Sequence, residues 1–225
     1  MFGKNEILKP ENHDGSSLDV VKIFPTFQGE GPYVGYPAVF IRLSGCNLAC
    51  NFCDTEFDSY HRMELVEIIT EVLRLAKNDS GEIVRKLIVI TGGEPLRQPI
   101  SKLCQMLVEL KFLVQIETNG TLFRELPQEI KIICSPKNVD GKYYKIRPDL
   151  LSRINAFKFI ISAHDKKYSD IAEVGQSVKS IPVYLQAMDE YNVEKNKANA
   201  ALVLQLAEKY GCRISVQIHK ILQIE

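Results

Sequence analysis

The sequence predicts an α/β fold, a partial βα barrel with a predominantly parallel sheet. Short β-branched runs alternate along the chain with longer amphipathic segments, the pattern of repeated βα units. Residues of unusual type gather at the carboxyl ends of the predicted strands, the edge at which parallel sheets bind ligands. The helical segments are too few for a complete eightfold barrel, so the barrel is expected to be a reduced one.

Residues 1–18 are polar and carry no hydrophobic period. They read as a loose N-terminal leader ahead of a single domain over 19–225. AVFIRL (38–43) is a strand that ends at a cysteine-bearing loop. From Met63 to Lys77, the residues Val66, Ile69, Val72, Leu73 and Ala76 fall near helical spacing. KLIVIT (86–91) is a strand leading into Gly92-Gly93. Ile100 to Lys111 is a helix with Leu103, Met106, Leu107 and Leu110 on one face. LVQIET (113–118), IKIICS (130–135), FKFIIS (157–162), VYLQ (183–186) and RISVQI (213–218) complete the strand series. Further helices are expected near 165–177 and 194–210, the second closed by Gly211. Pro136 to Pro148 is a long polar connection, functional or mobile. Gly45-Cys46, Thr91 to Glu94, Glu117 to Gly120, Ser135 to Lys137 and Gln186 each end a predicted strand. Five loops should therefore converge on one mouth.

A chain of 225 residues can bury a sizeable core. Its 28 Lys plus Arg balance 28 Asp plus Glu, so no general nucleic-acid or membrane surface is expected. The basic cluster from Lys137 to Arg147 reads as solvated loop before phosphate site. No apolar run approaches the roughly 20 residues of a bilayer span, and the first residues lack the apolar core of a secretory signal. The expectation is a cytoplasmic protein in a reducing compartment, its six cysteines unpaired.

Three of those cysteines stand as Cys46-x3-Cys50-x2-Cys53, while Cys104, Cys134 and Cys212 are scattered. Soft thiolates suit zinc, copper(I) or iron–sulfur clusters. A closed zinc site takes four ligands, usually with CxxC pairs. Here the first gap is three residues, no fourth cysteine is near, and His61 is the one candidate to complete the set. A 4Fe-4S cluster normally takes four thiolates. Three would leave one iron open to chelate a small molecule and hand it an electron. Clustered core cysteines and structural zinc are the rival readings, and the spacing favours the open cluster.

Cx3Cx2C, with aromatic Phe52 before its third cysteine, resembles the motif of the radical S-adenosylmethionine superfamily. Gly92-Gly93-Glu94-Pro95, an ordinary turn if read alone, resembles that superfamily's second motif. The flanks are narrower in what they match. Phe27-Gln28-Gly29-Glu30-Gly31, Phe40 to Cys46 and Cys53-Asp54-Thr55 resemble the 7-carboxy-7-deazaguanine synthase family. The resemblance continues through Val89 to Pro95, Gln115 to Gly120, Ser135-Pro136-Lys137, Gln186 and Gln217-Ile218-His219-Lys220, nearly the whole chain from about residue 20. It departs from the family's pattern at Ala187, where a Gln-Pro step is common, at Phe27, where a smaller aliphatic residue is usual, and at Phe52, where tryptophan is frequent.

The resemblance implies a lyase that converts 6-carboxy-5,6,7,8-tetrahydropterin to 7-carboxy-7-deazaguanine with loss of ammonia, on the way to queuosine. Cys46, Cys50 and Cys53 would hold the cluster, and S-adenosylmethionine on its open iron would yield a deoxyadenosyl radical. Phe52, Cys53, Asp54, Gly93, Glu94, Ser135, Pro136, Lys137, Gln186, Ala187, Met188 and Asp189 would contact S-adenosylmethionine. Phe27, Gln28, Gly29, Arg42 and Thr91 would contact the substrate, with the planar fork of Arg42 on its carboxylate. Thr55, a turn residue if read alone, would ligate Mg2+ shared with the substrate. Glu117 and His219 would orient substrate or move protons. Glu30 reads equally well as a loop anchor. A homodimer and a flavodoxin-like or ferredoxin-like electron donor are also implied. A glycyl-radical-enzyme activase and a zinc-stabilised binding module are the competing functions.

Overall fold

The computed structural model of the chain describes residues 6–53, 55, 59–139, 141–143 and 145–224. In chain order these form β1 (Ser17–Phe27), β2 (Pro37–Leu43), β3 (His61–Glu64), α1 (Leu65–Ala76), β4 (Leu87–Gly92) and α2 (Ser101–Glu109). There follow β5 (Leu113–Thr118), β6 (Lys131–Cys134), a small hairpin of β7 (Asn138–Val139) and β8 (Lys142–Tyr143), α3 (Pro148–Leu151) and β9 (Ile154–Ile161). The chain ends with β10 (Val183–Ala187), α4 (Val193–Tyr210), β11 (Arg213–Ser215) and α5 (Ile218–Leu222).

One sheet runs in the order β11-β10-β9-β6-β5-β4-β2-β1-β3. From β2 to β11 every neighbouring pair is parallel. Only β1 and β3 are antiparallel, at one edge. The sheet is thus mostly parallel and not closed, as a partial barrel requires. Its central strands are buried on both faces, which is why β4 reads as the unbroken apolar run Leu87 to Ile90. One face packs Ile41, Ile90, Ile116 and Phe159 against Ile68 and Val72 of α1, Leu103 and Leu107 of α2, and Val203 and Leu206 of α4. The other face is apolar at its base, where Ala38, Leu87 and Val89 meet Tyr33. Toward the carboxyl ends of the strands it turns polar, with Gln115, Glu117, Lys158 and Gln186 at alternate positions.

Several expectations change. Ser17 already opens β1, whose Leu18 and Val20 are in the core. The described part of the expected loose leader is tied down: Leu8 N–H donates to the Cys46 carbonyl (2.8 Å) and Glu11 N–H to the Arg97 carbonyl (2.8 Å). Hydropathy cannot see a segment held by main-chain bonds. Residues 165–177 form turns rather than a helix. Ser162 Oγ accepts from the N–H groups of His164 and Asp165, Asp165 from Lys167 N–H, and Gln176 from Val174 N–H. Side chains that capture local N–H groups compete with the helical ladder. RISVQI is a strand only to Ser215, because Ile218 N–H turns to the Gly29 carbonyl (3.1 Å) and begins α5. By contrast α4 follows the sequence, capped by Asn192 and stopped by Gly211 at φ +67°. No helix among the described residues is long and apolar enough to cross a membrane.

Candidate active site

The cysteine loop is held by the glycines of two strand ends. Gly45 has φ +78°, and a Cβ there would meet the Arg97 guanidinium at 2.7 Å. A Cβ on Gly92 would stand 2.1 Å from the Leu43 carbonyl oxygen, and one on Gly93 2.0 Å from that of Gly45. This close approach lets Gly93 N–H donate to Leu43 O (3.2 Å) and Glu94 N–H to Gly45 O (3.0 Å). Gln98 Nε2 and Arg97 Nη2 both donate to Ser44 O at 3.1 Å. From the β5 side, Asn119 Nδ2 donates to Asn47 Oδ1 (3.0 Å), and Asn47 Nδ2 to Thr121 Oγ1 (2.7 Å).

Cys46, Cys50 and Cys53 form no disulfide and are half-buried on this loop. Cys53 N–H closes a turn onto Cys50 O (3.1 Å), and the Phe52 ring stands edge-on to Tyr168 at 5.0 Å. Burial pushes the Cys46 thiol up to about 11, with Glu94, Cys50 and Cys53 adding to it. Burial raises Cys50 too, against the pull of Lys137. Among the described residues no three His, Cys, Asp or Glu side chains converge on a single metal-ion position, and His61 lies exposed on the edge strand β3. A cubane cluster asks for a different arrangement, since each thiolate meets a different iron. Three half-buried thiols on one rim, the only cysteines among the described residues that line the cavity they open on, fit such a cluster with one open iron.

The three thiols open on a cavity at the carboxyl ends of the strands. Phe52, Thr55, Thr91 and Gly93 share its wall with Glu117, Ser135 and Lys137, and the segment Gln186 to Asp189 closes the far side. Most of the expected contact residues are thus brought to one place. The others are not on the wall. Glu94 is fully buried: its carboxylate accepts from Leu96 N–H (3.0 Å), Thr118 Oγ1 (2.8 Å) and Asn119 N–H (2.7 Å). It fixes the wall residues Thr118 and Asn119 from behind. Pro136 and Gln28 are buried, and Phe27 is exposed. Arg42 is half-buried with its guanidinium 5.3 Å from the Phe24 ring centre, in register with Thr91 on the adjacent strand. His219 sits on α5, not at a strand end, and packs on Gly29, where a Cβ would meet its Nδ1 at 2.1 Å. Asp54 lies outside the described residues.

At the cavity floor stands a buried charge cluster. Lys158 Nζ donates to Glu117 Oε2 (2.8 Å) and to Glu30 Oε2. The other oxygen of each carboxylate lies between two amides. Glu117 Oε1 accepts from Gln28 (3.0 Å) and Gln115 (2.9 Å), and Glu30 Oε1 from Gln186 (3.0 Å) and Gln217 (2.7 Å). Burial would raise Glu30, but Lys158 and Gln217 hold its carboxyl at about 2. Burial alone would lower Lys158, and the two carboxylates carry it well above the usual lysine range. Lys137 is lowered by burial and folds back on Ser135, donating to its Oγ (2.6 Å) and carbonyl (3.0 Å). Glu30 is thus a cavity residue as well as a loop anchor. Lys158 is not among the residues that the sequence reading names. The signal that marks it is a lysine within the apolar run Phe157 to Ile161, where a cation survives only with partners.

The open parallel sheet with a three-cysteine loop at its carboxyl mouth defines a radical S-adenosylmethionine enzyme, and the model of the Radical SAM superfamily matches residues 40–139. The 7-carboxy-7-deazaguanine synthase of Rickettsia prowazekii is 52% identical over 225 residues, covering 100% of this chain and 96% of that protein. The 7-carboxy-7-deazaguanine synthase of Rhodospirillum rubrum is 36% identical over 244 residues and covers 100% of both. The chain belongs to the 7-carboxy-7-deazaguanine synthase family. A crystal structure of QueE from Escherichia coli shares the fold, with a TM-score of 0.73 at 23% identity over 89% of this chain and 94% of that one.

Proposed function

We propose that the protein converts 6-carboxy-5,6,7,8-tetrahydropterin to 7-carboxy-7-deazaguanine, releasing ammonia, and so supplies a queuosine precursor. The observation that carries the reading is that the three thiols and the Glu30–Lys158–Glu117 floor line one cavity, in a chain 52% identical to a protein of that name. Loss of ammonia accounts for the whole change in composition, so the conversion needs no net oxidant.

Cys46, Cys50 and Cys53 would hold a 4Fe-4S cluster, which when bound would supply the one electron that splits S-adenosylmethionine into methionine and a deoxyadenosyl radical. The walls divide the remaining work. Gly93, Ser135, Lys137 and Gln186 to Asp189, with Phe52 and Cys53, hold S-adenosylmethionine, while Glu94 and Pro136 shape that wall from within. Arg42 and Thr91, register partners on β2 and β4, take the substrate carboxylate. Thr55 adds one ligand to an Mg2+ whose affinity depends on bound substrate. Phe27, Gln28 and Gly29 carry the loop that seats the substrate, and Glu117 and His219 orient it. The enzyme works in the cytoplasm as a homodimer with a flavodoxin-like or ferredoxin-like donor.

The test is anaerobic turnover of the reconstituted enzyme with S-adenosylmethionine, reductant, Mg2+ and 6-carboxytetrahydropterin. The expected product is 7-carboxy-7-deazaguanine. Formation of 5′-deoxyadenosine without that product would retain the radical chemistry and reject this substrate.

A further inference from the structure

The cluster of Glu30, Lys158 and Glu117 has a charge count that a purely structural tie does not need. Two carboxylates share one ammonium, so the tie itself holds one more negative charge than positive, with Lys137 the next cation on the cavity wall. Lys158 and both carboxylates are mostly buried, with side-chain exposures of 4%, 16% and 19%. Apolar side chains of similar volume would usually hold such a junction as well as ions or better. The three residues come from the β1–β2 loop, β9 and β5, and all three face the cavity. The arrangement is also symmetric, each carboxylate giving one oxygen to Lys158 and the other to a pair of glutamine amides. A carboxylate offers about four acceptor positions, so the oxygens on Lys158 keep capacity for a ligand donor.

We infer that Lys158 is a positioning residue for the substrate, fixing Glu30 and Glu117 as a rigid pair of acceptors for the N–H-bearing part of the pterin. The proposal rests on the pterin reading above. Without the ammonium, the two carboxylates would repel one another in a low-dielectric floor and could not both stay ionised. The other charged neighbours do not replace it: Lys137 is turned onto Ser135, and His219 reaches Glu30 only as a weaker charge.

The experiment is steady-state kinetics of the reconstituted holoenzyme carrying Lys158→Met or Lys158→Arg. Lys158→Met should raise the KM for 6-carboxytetrahydropterin roughly tenfold or more, as expected when one partner of a buried ion cluster is removed. Iron content and the KM for S-adenosylmethionine should be unchanged, and Lys158→Arg should recover most of the pterin KM. An unchanged pterin KM in Lys158→Met overturns the proposal, as does an equal loss toward both ligands. Should Lys158→Met fail to fold, the double variant Glu30→Gln/Lys158→Gln removes one buried charge of each sign. An unchanged pterin KM in that protein also overturns it. Wild-type enzyme that makes no 7-carboxy-7-deazaguanine rejects the substrate reading and this proposal together. Wild-type turnover with an unaltered variant KM rejects this proposal alone.

Discussion

Gly93 lies against Gly45 so closely that a Cβ at Gly93 would stand 2.0 Å from the Gly45 carbonyl oxygen and 2.9 Å from Cys46 N. The obstacle is backbone, so no rotamer relieves it. Gly93→Ala should push the cysteine loop away from β4, costing about 1–3 kcal/mol of stability as an overpacked site and lowering iron retention. The sheet lies behind the contact and should survive. Far-ultraviolet circular dichroism is expected to stay near wild type while iron per chain after anaerobic reconstitution falls. Full iron content in Gly93→Ala would show that the loop position is not set by this contact.

The six cysteines should separate into two groups. Cys46→Ala, Cys50→Ala and Cys53→Ala each remove a rim thiol and should abolish cluster absorption and turnover. Cys104 is fully buried among apolar residues of α2. Cys104→Ala therefore leaves a small cavity, destabilising by about 1 kcal/mol, with iron content and colour retained. Iron and sulfide assays on the four variants check this, and a colourless Cys104→Ala protein would count against the assignment.

Arg97 is buried and pairs with Glu11 at 2.8 Å, while its Nη atoms also donate to Lys9 O (3.3 Å) and Ser44 O (3.1 Å). Glu11→Ala should leave the guanidinium without its anion, at a cost of about 3 kcal/mol. That is a Tm loss of several degrees, since about 2–4 °C accompanies each kcal/mol in a chain of this size. Arg97 also abuts Gly45, so the cluster should be lost more readily on heating. A Tm within a degree of wild type would mean that the N-terminal segment adds nothing to the cysteine loop.

How far the sequence anticipates this molecule depends on the kind of signal each part carries. The runs at β2 and β4 are apolar on consecutive positions because both faces are covered, and flanking Gly marks their ends, as Asn119-Gly120 marks the end of β5. The cysteine loop and Gly93 are legible because ligand spacing and tight backbone contact each demand one residue type. Residues 165–177 fail because Ser162, Asp165 and Gln176 spend their side chains on nearby N–H groups, which no periodicity reports. The segment before Ser17 fails because it is held by main-chain bonds and by Glu11. The charged floor joins positions 30, 117 and 158, and pairing over such separations is fixed only once the strand order β9-β6-β5 exists.

That floor also fixes a pH dependence of stability. Glu30 is held at about 2 in the folded chain against an ordinary 4.5. A carboxyl depressed on folding contributes stability that is fully present above its unfolded value and lost as pH falls toward its folded one. Wild-type protein should therefore show no loss from Glu30 between pH 5 and 8, and a growing loss below about 4.5. Lys158→Met reverses the sign. Without the ammonium, burial, the largest influence on Glu30, dominates, and its carboxyl rises above its unfolded value. Stability then remains below the unfolded value and falls as pH climbs through the raised one. Glu94, itself raised by burial, is common to both proteins and cancels in the difference between them. The neighbouring Lys137 and His219 favour ionised carboxylates and would soften the reversal. Thermal unfolding of both proteins at pH 5 and pH 8 checks the argument: the deficit of Lys158→Met should be larger at pH 8. An equal deficit at both values would mean that Lys158 does not govern the ionisation of Glu30.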